Sequence, residues 1–282
     1  MKTVKIPVCP APGQGVNKWT FKAALILCRL GWSAETIRAF LHEHTRRTGA
    51  EADAEIERAV ERAPLWPKGQ AASVRHWPPA NPSLIHKIIV TGFNLEQLRA
   101  VSQQKCNTTE QVLDVLFPGD PLIWVADSVA PETGSGTFPL SKWRLFARSK
   151  QFIVPNPMTS SSPPADRKSS RCLANTGPRR FLVIERDQGT LDEQAAILWH
   201  LARFEPLALV VHSAGKSLHG WFYVENQTEE QSREFMEYAV SLGADDATWC
   251  KCQPVRMPLG LRPGAGIQWV LFFNPAVLGG EK

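Results

Sequence analysis

One stretch in the C-terminal half of the chain alternates between short apolar runs and a helical segment, and it constrains the fold more than any other feature. The run Phe181–Glu185 (FLVIE) has the length and composition of a buried β-strand. Thr190 and Glu193 are spaced as a capping box for a helix that continues to about residue 204. A second apolar run, Leu207–His212, follows. The pattern predicts a strand-helix-strand unit and therefore an α/β fold.

Further elements extend this domain on both sides. The spacing of apolar residues predicts, in chain order, helices over 83–92, 95–102 and 109–117, a strand over 122–126, a hairpin-like return over 218–224, a helix over 228–242 and a last strand over 268–273. Gly243 is placed to end the helix over 228–242. We therefore expect one α/β (α+β) domain over residues 83–282.

Residues 1–63 predict a separate, all-helical module. Apolar residues at helical spacing indicate three short helices, over 17–30, 33–49 and 52–63. Residues 64–82 contain five prolines and show no sustained period, which is typical of a linker or of an extended strap laid over the next domain. We place the domain boundary in this proline-rich linker.

Composition excludes several classes of protein. Of the 282 residues, 43% are hydrophobic and 21% are charged, so neither disorder nor a fibrous repeat is expected. No stretch approaches the roughly 20 apolar residues of a membrane span, and the N-terminal segment has no apolar core for a secretion signal. We expect a cytoplasmic protein without a membrane partner. The net charge of +5 is compatible with an anionic partner.

The six cysteines are scattered except for Cys250 and Cys252, so reduced thiols are expected. A zinc site that combines this pair with His212 or His219 is an alternative. A CxC motif without a second ligand pair is a weak zinc signature, and we therefore expect ordinary small, buried side chains here.

Two carboxylates end the first strand of the strand-helix-strand unit. Glu185 and Asp187 are two residues apart, so on an extended strand both point to the same face while Arg186 faces away. Carboxylate oxygens suit Mg²⁺ or Mn²⁺, ions that also bridge to substrate phosphates. The alternative is a surface pair that forms salt bridges with Arg186 or Arg179.

The segment HSAGKSLHGW, residues 212–221, carries a second group of polar side chains. Ser217 and His219 are two residues apart, which in an extended segment directs a hydroxyl and an imidazole to one side, next to Lys216. Such a set suits a triphosphate. A P-loop is excluded, because its pattern requires glycine where Val210 stands. The alternative is a hairpin turn in which His219 is a buried structural histidine.

A third group lies in GADDATWCKCQPVRMPLG, residues 243–260. It supplies two further acids, Asp245 and Asp246, after the helix that Gly243 ends, and then the guanidinium of Arg256. The alternative is that the acids are turn residues and the arginine is an ordinary surface charge.

Residues 155–180 are rich in proline, serine and basic residues, which predicts an exposed, positively charged loop. Such a loop is either a solvated surface segment or a track for the backbone of a nucleic acid. The basic residues concerned are Arg167, Lys168, Arg171, Arg179 and Arg180.

In this order and on this scaffold, the acid-x-acid strand end, the Ser-x-His hairpin and the following Asp resemble the catalytic domain of archaeo-eukaryotic-type primases and primase-polymerases. HSAGKSLHGWF and VRMPLGLR are similar to the version in plasmid- and phage-borne members, and the N-terminal helices look like the accessory module of such primases. The resemblance covers roughly residues 120–275. It implies a primase-type, RRM-like core with a mixed or antiparallel sheet.

The resemblance also implies a function. Members of this family are template-dependent nucleotidyltransferases that make primers on single-stranded DNA from nucleoside triphosphates, with Mg²⁺ or Mn²⁺ in a two-metal mechanism. A replicative helicase is a candidate partner. The metal ligands implied are Glu185, Asp187 and Asp245, with Asp246 as the alternative third acid, and the nucleotide contacts are Lys216, Ser217, His219 and Arg256.

Two positions depart from the family pattern. Arg186 stands where an apolar or small residue is usual, and Leu259 replaces the small or acidic residue common before the glycine of the MPxG segment. A charge at Arg186 that neutralised the carboxylates would favour an alternative function. The chain would then be a catalytically weakened primase-fold protein that acts as a nucleic-acid-binding replication accessory or a nucleotide sensor.

Overall fold

The computed structural model describes residues 9, 16–29, 32–45, 48–62, 77–103, 107–128 and 134–279. The chain divides into two compact units, residues 1–75 and 76–282. The division falls inside the predicted linker, of which residues 64–76 lie outside the described residues. Within the part of the chain that is described, no helix is both long enough and apolar enough to cross a membrane.

The described residues of the first unit form three helices, as the spacing of apolar residues predicts. They are α1 (Val16–Arg29), α2 (Ala34–His44) and α3 (Ala50–Arg62). The hydroxyl of Ser33 caps α2 by accepting a hydrogen bond from the backbone N–H of Thr36. Leu27, Leu41 and Ile56 lie buried in one cluster, so the apolar stripes of the three helices close a small core of their own.

The second unit mixes helices and strands, in agreement with the α/β (α+β) prediction. The helices are α4 (Pro82–Thr91), α5 (Leu95–Ala100), α6 (Thr109–Leu116), α7 (Leu140–Trp143), α8 (Leu191–Leu201) and α9 (Glu229–Ser241). The strands are β1 (Leu122–Ala126), β2 (Gly136–Pro139), β3 (Phe152–Ile153), β4 (Phe181–Glu185), β5 (Leu207–His212), β6 (Leu218–Tyr223), β7 (Val255–Arg256), β8 (Leu261–Arg262), β9 (Gly266–Ile267) and β10 (Val270–Phe273). Strands β2, β3 and β7 to β9 were not predicted, because runs this short show no period.

The end of the predicted linker belongs to the second unit. Trp77 packs edge-on against Trp249, with ring centroids 6.0 Å apart, and the guanidinium of Arg233 lies 3.6 Å from the centroid of the Trp77 ring. Helix α4 then begins at Pro82, with Asn81 as its N-cap. For the described end of this segment, the contacts of Trp77 are those expected of a strap laid over the next domain rather than of a free linker.

The main sheet has the strand order β10-β5-β6-β4, and every neighbouring pair is antiparallel. The strand-helix-strand prediction is confirmed as a succession of elements. However, β5 does not pair with β4, because β6 returns from the hairpin and lies between them. The main-sheet strands together with α8 and α9 follow each other along the chain as β-α-β-β-α-β.

Helices cover one face of the main sheet. Leu182, Ile184 and Phe222 point to this face and lie in the same core cluster as Leu198 of α8. Helix α8 approaches β6 closely at Gly220, where a Cβ atom would lie 2.6 Å from Leu198 Cδ2. A larger residue at Gly220 would therefore require the side chain of Leu198 to move.

A second antiparallel sheet, with the order β2-β1-β3-β7, packs on the other face of the main sheet. Val255 of β7 lies in one core cluster with Val183 and Trp221 of the main sheet. Because strand residues alternate between faces, Glu185 and His219 point to the same side as Val183 and Trp221. The end of this inter-sheet core is therefore where the candidate site lies.

Candidate functional site

The acid-x-acid and Ser-x-His motifs meet where β4 ends and β6 begins. Glu185 and His219 are directly opposite each other in the sheet, and Glu185 Oε1 lies 3.3 Å from His219 Nε2. Beyond them, the hydroxyl of Ser217 donates a 2.8 Å hydrogen bond to Asp187 Oδ1. Each carboxylate thus faces one residue of the other motif.

The imidazole of His219 is buried but not satisfied by the protein. Its side chain is 4% exposed, and within the described residues neither ring nitrogen has a hydrogen-bond partner with acceptable geometry. Its contact with Glu185, at 3.3 Å, is nevertheless among the causes that lower the pKa of that carboxyl group. A buried polar group left unpaired costs about 1–3 kcal/mol, which argues against a purely structural histidine and favours one that contacts a ligand.

Glu185 is held in its ionised form. Burial of its carboxyl opposes ionisation, but the contact with His219, the hydroxyl of Ser217 and the charge of Arg256 outweigh that effect and lower its pKa. A carboxylate that is charged at neutral pH is the form that binds cations.

Arg256 reaches this site from the second sheet. It lies on β7, and its charge is among the causes that lower the pKa of Glu185. Burial and the nearby charge of Arg262 lower the pKa of Arg256 itself, but an arginine stays protonated in proteins. The site therefore contains a fixed, half-buried cation in addition to its acids.

Lys216 adds a mobile cation. Its Nζ lies 3.6 Å from Asp187 Oδ2, and the two side chains are 71% and 54% exposed, respectively. Exposed ion pairs of this kind are worth at most about 1 kcal/mol, so the ammonium group is free to exchange Asp187 for another anion.

A residue that the sequence analysis did not single out fixes the loop between β5 and β6. Gln194 on α8 is fully buried, and its side chain donates to the carbonyl of Lys216 at 2.9 Å and accepts from the backbone N–H of Leu218 at 2.8 Å. The hydroxyl of Ser213 also accepts from the backbone N–H of Ser217. The available signal was a polar side chain on the otherwise apolar buried face of α8.

Of the two further acids, Asp245 is the one beside β4. Its backbone N–H donates a 2.8 Å hydrogen bond to the carbonyl oxygen of Glu185. Its carboxylate accepts from the backbone N–H of Ala247 and so caps a 3₁₀ turn over Asp246–Trp249. Asp246 is the first residue of that turn and is one step farther from Glu185.

The carboxylates at the end of β4 are candidate ligands for a metal ion. Glu185 and Asp187 fit Mg²⁺ or Mn²⁺ by charge and by donor type. Within the described residues, however, no three His, Cys, Asp or Glu side chains lie close enough together to hold a metal ion. Asp245 is thus adjacent to Glu185 through its backbone, while its carboxylate is turned to its own capping contact.

Neither arginine considered as a surface partner pairs with the two strand-end acids. The guanidinium of Arg186 lies beside Gly189 and Gly243. A Cβ atom added to Gly243 would be 3.1 Å from its Nε. Its Nε and Nη1 have no hydrogen-bond partner in the described part of the chain. Arg179 pairs instead with Glu229, at 2.9 Å. The surface-pair alternative is therefore wrong, and Arg186 forms no salt bridge with the carboxylates.

The predicted basic loop is only partly exposed. Arg179 has a side chain that is 4% exposed and lies 4.1 Å from the ring centroid of Trp249, and Arg180 pairs with Glu225. These arginines tie the loop to the domain. The expectation that they are exposed is wrong, because aromatic rings and acids distant in sequence cover them.

The remaining basic residues of the loop differ from one another. Arg171 is half-buried, with its guanidinium 5.0 Å from the ring centroid of Trp124. Arg167 and Lys168 are exposed, and Arg167 has only its neighbour Asp166 within ion-pair range among the described residues, at 3.4 Å. The part of the loop available to a nucleic acid is therefore the tip that carries Arg167 and Lys168.

No protein-family model, curated protein or solved structure matches this chain. The fold and the site define an α/β protein with a cluster of acids, a buried histidine and cations at the edge of an antiparallel sheet. Its function is therefore argued from this geometry and from the resemblance of its motifs.

Proposed function

We propose that the second unit is a template-dependent nucleotidyltransferase of the archaeo-eukaryotic primase type, which makes primers on single-stranded DNA from nucleoside triphosphates. The observation that carries the proposal is the pairing of the two motifs across adjacent strands, Glu185 with His219 and Asp187 with Ser217. The register of β4 and β6 brings these side chains together, as the common site that the resemblance implies requires.

The acids would hold Mg²⁺ or Mn²⁺. Glu185 and Asp187, at and just after the end of β4, are the proposed ligands. Asp245 is preferred to Asp246 as the third acid because its backbone is bonded to that of Glu185, and its carboxylate would have to leave the cap of the 3₁₀ turn to bind the metal. When bound, the two ions would activate a 3′-hydroxyl and neutralise charge on the triphosphate. The lowered pKa of Glu185 keeps this ligand charged at neutral pH without help from the metal.

The donors and cations around the acids would bind the triphosphate. His219 has ring nitrogens without hydrogen-bond partners among the described residues, and Arg256 carries a half-buried charge that water screens less than a surface charge. Ser217 would move its hydroxyl from Asp187 to a phosphate oxygen. Lys216 is exposed, so it would attract the negatively charged triphosphate without holding it in one position.

The alternative is a weakened primase-fold protein that serves as a replication accessory or a nucleotide sensor. Its main support was the idea that Arg186 neutralises the two strand-end acids. Among the described residues, however, this arginine forms no salt bridge with either of them. We therefore prefer the catalytic proposal, in which single-stranded DNA, nucleoside triphosphates and a replicative helicase are the proposed partners.

The test is dinucleotide formation from labelled nucleoside triphosphates on single-stranded DNA with Mg²⁺ or Mn²⁺. Glu185→Gln and Asp187→Asn each remove a charge while keeping the shape of the side chain. Each should lower the rate by about 100-fold or more, since removing a ligand withdraws several kcal/mol of charge stabilisation.

Asp245 and Asp246 provide a matched pair of controls. Asp245→Asn should lose activity, whereas Asp246→Asn should retain most of it, because only Asp245 adjoins Glu185 through its backbone. Full activity in the Glu185 and Asp187 variants would exclude the metal-ligand assignment. Saturable nucleotide binding by the parent without any synthesis would favour the sensor instead.

A further inference from the structure

The turn between the 3₁₀ segment Asp246–Trp249 and β7 carries two thiols in contact. Cys250 Sγ lies 3.4 Å from Cys252 Sγ, and the backbone N–H of Gln253 closes the turn by donating to the carbonyl of Cys250 at 2.8 Å. Cys250 is half-buried and Cys252 is buried. Cys250 is therefore the more exposed residue of the pair, with the sulfur of Cys252 held next to its own.

The pair lacks the further ligands of a zinc site. Structural zinc takes four ligands, and within the described residues no third His, Cys, Asp or Glu joins the two cysteines in a metal-binding group. His219 faces Glu185, and a ring nitrogen of His212 is hydrogen-bonded to the carbonyl of Gly215 at 3.1 Å. Neither histidine therefore joins the pair among the described residues, and of the two side chains expected to be buried, Cys252 is buried whereas Cys250 is half-buried.

Positive charge surrounds the pair. Arg171 Nη1 donates to the carbonyl of Cys252 at 3.2 Å, and its Nε has no hydrogen-bond partner among the described residues. The contact with Cys252 and the charges of Arg171 and Arg179 lower the pKa of Cys250 to about 6, while the same contact raises the pKa of Cys252. These directions, together with the neighbouring guanidinium groups, favour the thiolate of Cys250 over that of Cys252.

We propose that Cys250 and Cys252 form a peroxide-reactive dithiol that closes reversibly to a disulfide. The sulfur of Cys250 attacks one oxygen of hydrogen peroxide and the O–O bond breaks. This leaves a sulfenic acid on Cys250 and a hydroxide that takes up a proton to become water. The Cys252 thiol then loses its proton and its sulfur displaces hydroxide from Cys250, and these two leave as a second water.

The balance of this step is complete. Two thiols and one hydrogen peroxide give one disulfide and two waters, so both sulfurs are oxidised and the peroxide is reduced. The roles of the two cysteines follow from their positions, because the half-buried thiolate meets the oxidant and the buried thiol resolves the intermediate. The proposal does not depend on nucleotide chemistry, and its test is independent of any synthesis assay.

The test is peptide mapping of the reduced, full-length chain after exposure to hydrogen peroxide, with alkylation under denaturing conditions and mass spectrometry. The fragment that contains Cys250 and Cys252 should lose two hydrogens and escape alkylation, and dithiothreitol should restore both. Cys172, which is buried, serves as the internal control and should be alkylated throughout. Oxidation of the pair no faster than that of Cys172 would overturn the proposal.

Three variants separate the roles. Cys250→Ser should slow oxidation of the remaining thiol by about tenfold or more, since the thiolate is gone. Cys252→Ser should still react but accumulate a sulfenic acid on Cys250 that dimedone traps. Arg171→Gln should slow the reaction at neutral pH by raising the pKa of Cys250. Equal reaction rates in the parent and in Cys250→Ser would overturn the assignment of Cys250 as the reactive thiol.

Discussion

At the scale of single residues, Glu185 connects burial, charge and chemistry. Its side chain is 23% exposed, so ionisation has a desolvation cost, yet three neighbours stabilise the charged form. Those neighbours are His219 and Ser217 on the adjacent hairpin and Arg256 on the second sheet. A carboxylate in this setting stabilises the fold and is in the ionised form that binds a cation.

The contribution of Glu185 to stability should depend on pH. A carboxyl group with a pKa below its unfolded value stabilises the folded state above that value, and the effect disappears as pH falls through the folded-state pKa. In urea unfolding, the parent should therefore lose stability relative to Glu185→Gln as pH falls below the ordinary value of 4.5. A stability difference that stays constant between about pH 7 and about pH 3 would contradict the assignment.

At the scale of elements, the loop over residues 155–180 divides into a structural base and an exposed tip. At the base, Arg179 links the loop to the first turn of α9 through Glu229, and its Nη2 donates to the carbonyl of Trp249 at 3.0 Å. At the tip, Arg167 and Lys168 face solvent. Residues that look equivalent by charge therefore have different roles.

Arg179→Gln should destabilise the second unit by about 2–3 kcal/mol, since it breaks a partly buried ion pair and leaves the carbonyl of Trp249 without its donor. The double variant Arg167→Gln, Lys168→Gln should change stability by no more than about 0.5 kcal/mol. Chemical denaturation followed by tryptophan fluorescence measures both. Equal effects would show that the loop has no structural base.

The same double variant tests the proposed template contact. If Arg167 and Lys168 contact the DNA backbone, the slope of log affinity against log salt should fall by about 0.7 for each phosphate that the variant no longer neutralises, with little dependence on template sequence. Arg144→Gln is the control, because this exposed arginine already pairs with Asp114 at 2.6 Å. An unchanged slope in the double variant would place the template elsewhere.

At the scale of the whole molecule, each of the two units has a hydrophobic core. Leu27, Leu41 and Ile56 belong to the core of the first unit. The two large core clusters of the second unit, on either side of the main sheet, draw their described members from residues 76–282 alone. A domain of this size with its own core is large enough to fold by itself.

A fragment of residues 76–282 should therefore unfold cooperatively, and its midpoint in a calorimetric scan should match one transition of the full chain. The physical reason is that the described members of its core clusters all come from within this unit. A fragment that shows no cooperative transition would contradict the assignment of two independent units.

The sequence by itself determined the elements with a local signature. The apolar runs of β4 and β5 and the capping box of Thr190 and Glu193 predicted strands and a helix at nearly the observed bounds, because periodicity and caps act over a few neighbouring residues. The order of the motifs also indicated the candidate acids and the Ser-x-His pair.

Only the tertiary structure decided which side chains meet. The register of β6 beside β4 places His219 against Glu185, and the packing of the second sheet brings Arg256 to the same site. It also decided that Arg179 is buried and that Gln194 fixes the hairpin. These outcomes depend on contacts between residues far apart in the chain, and such contacts leave no periodic pattern in any local stretch of sequence.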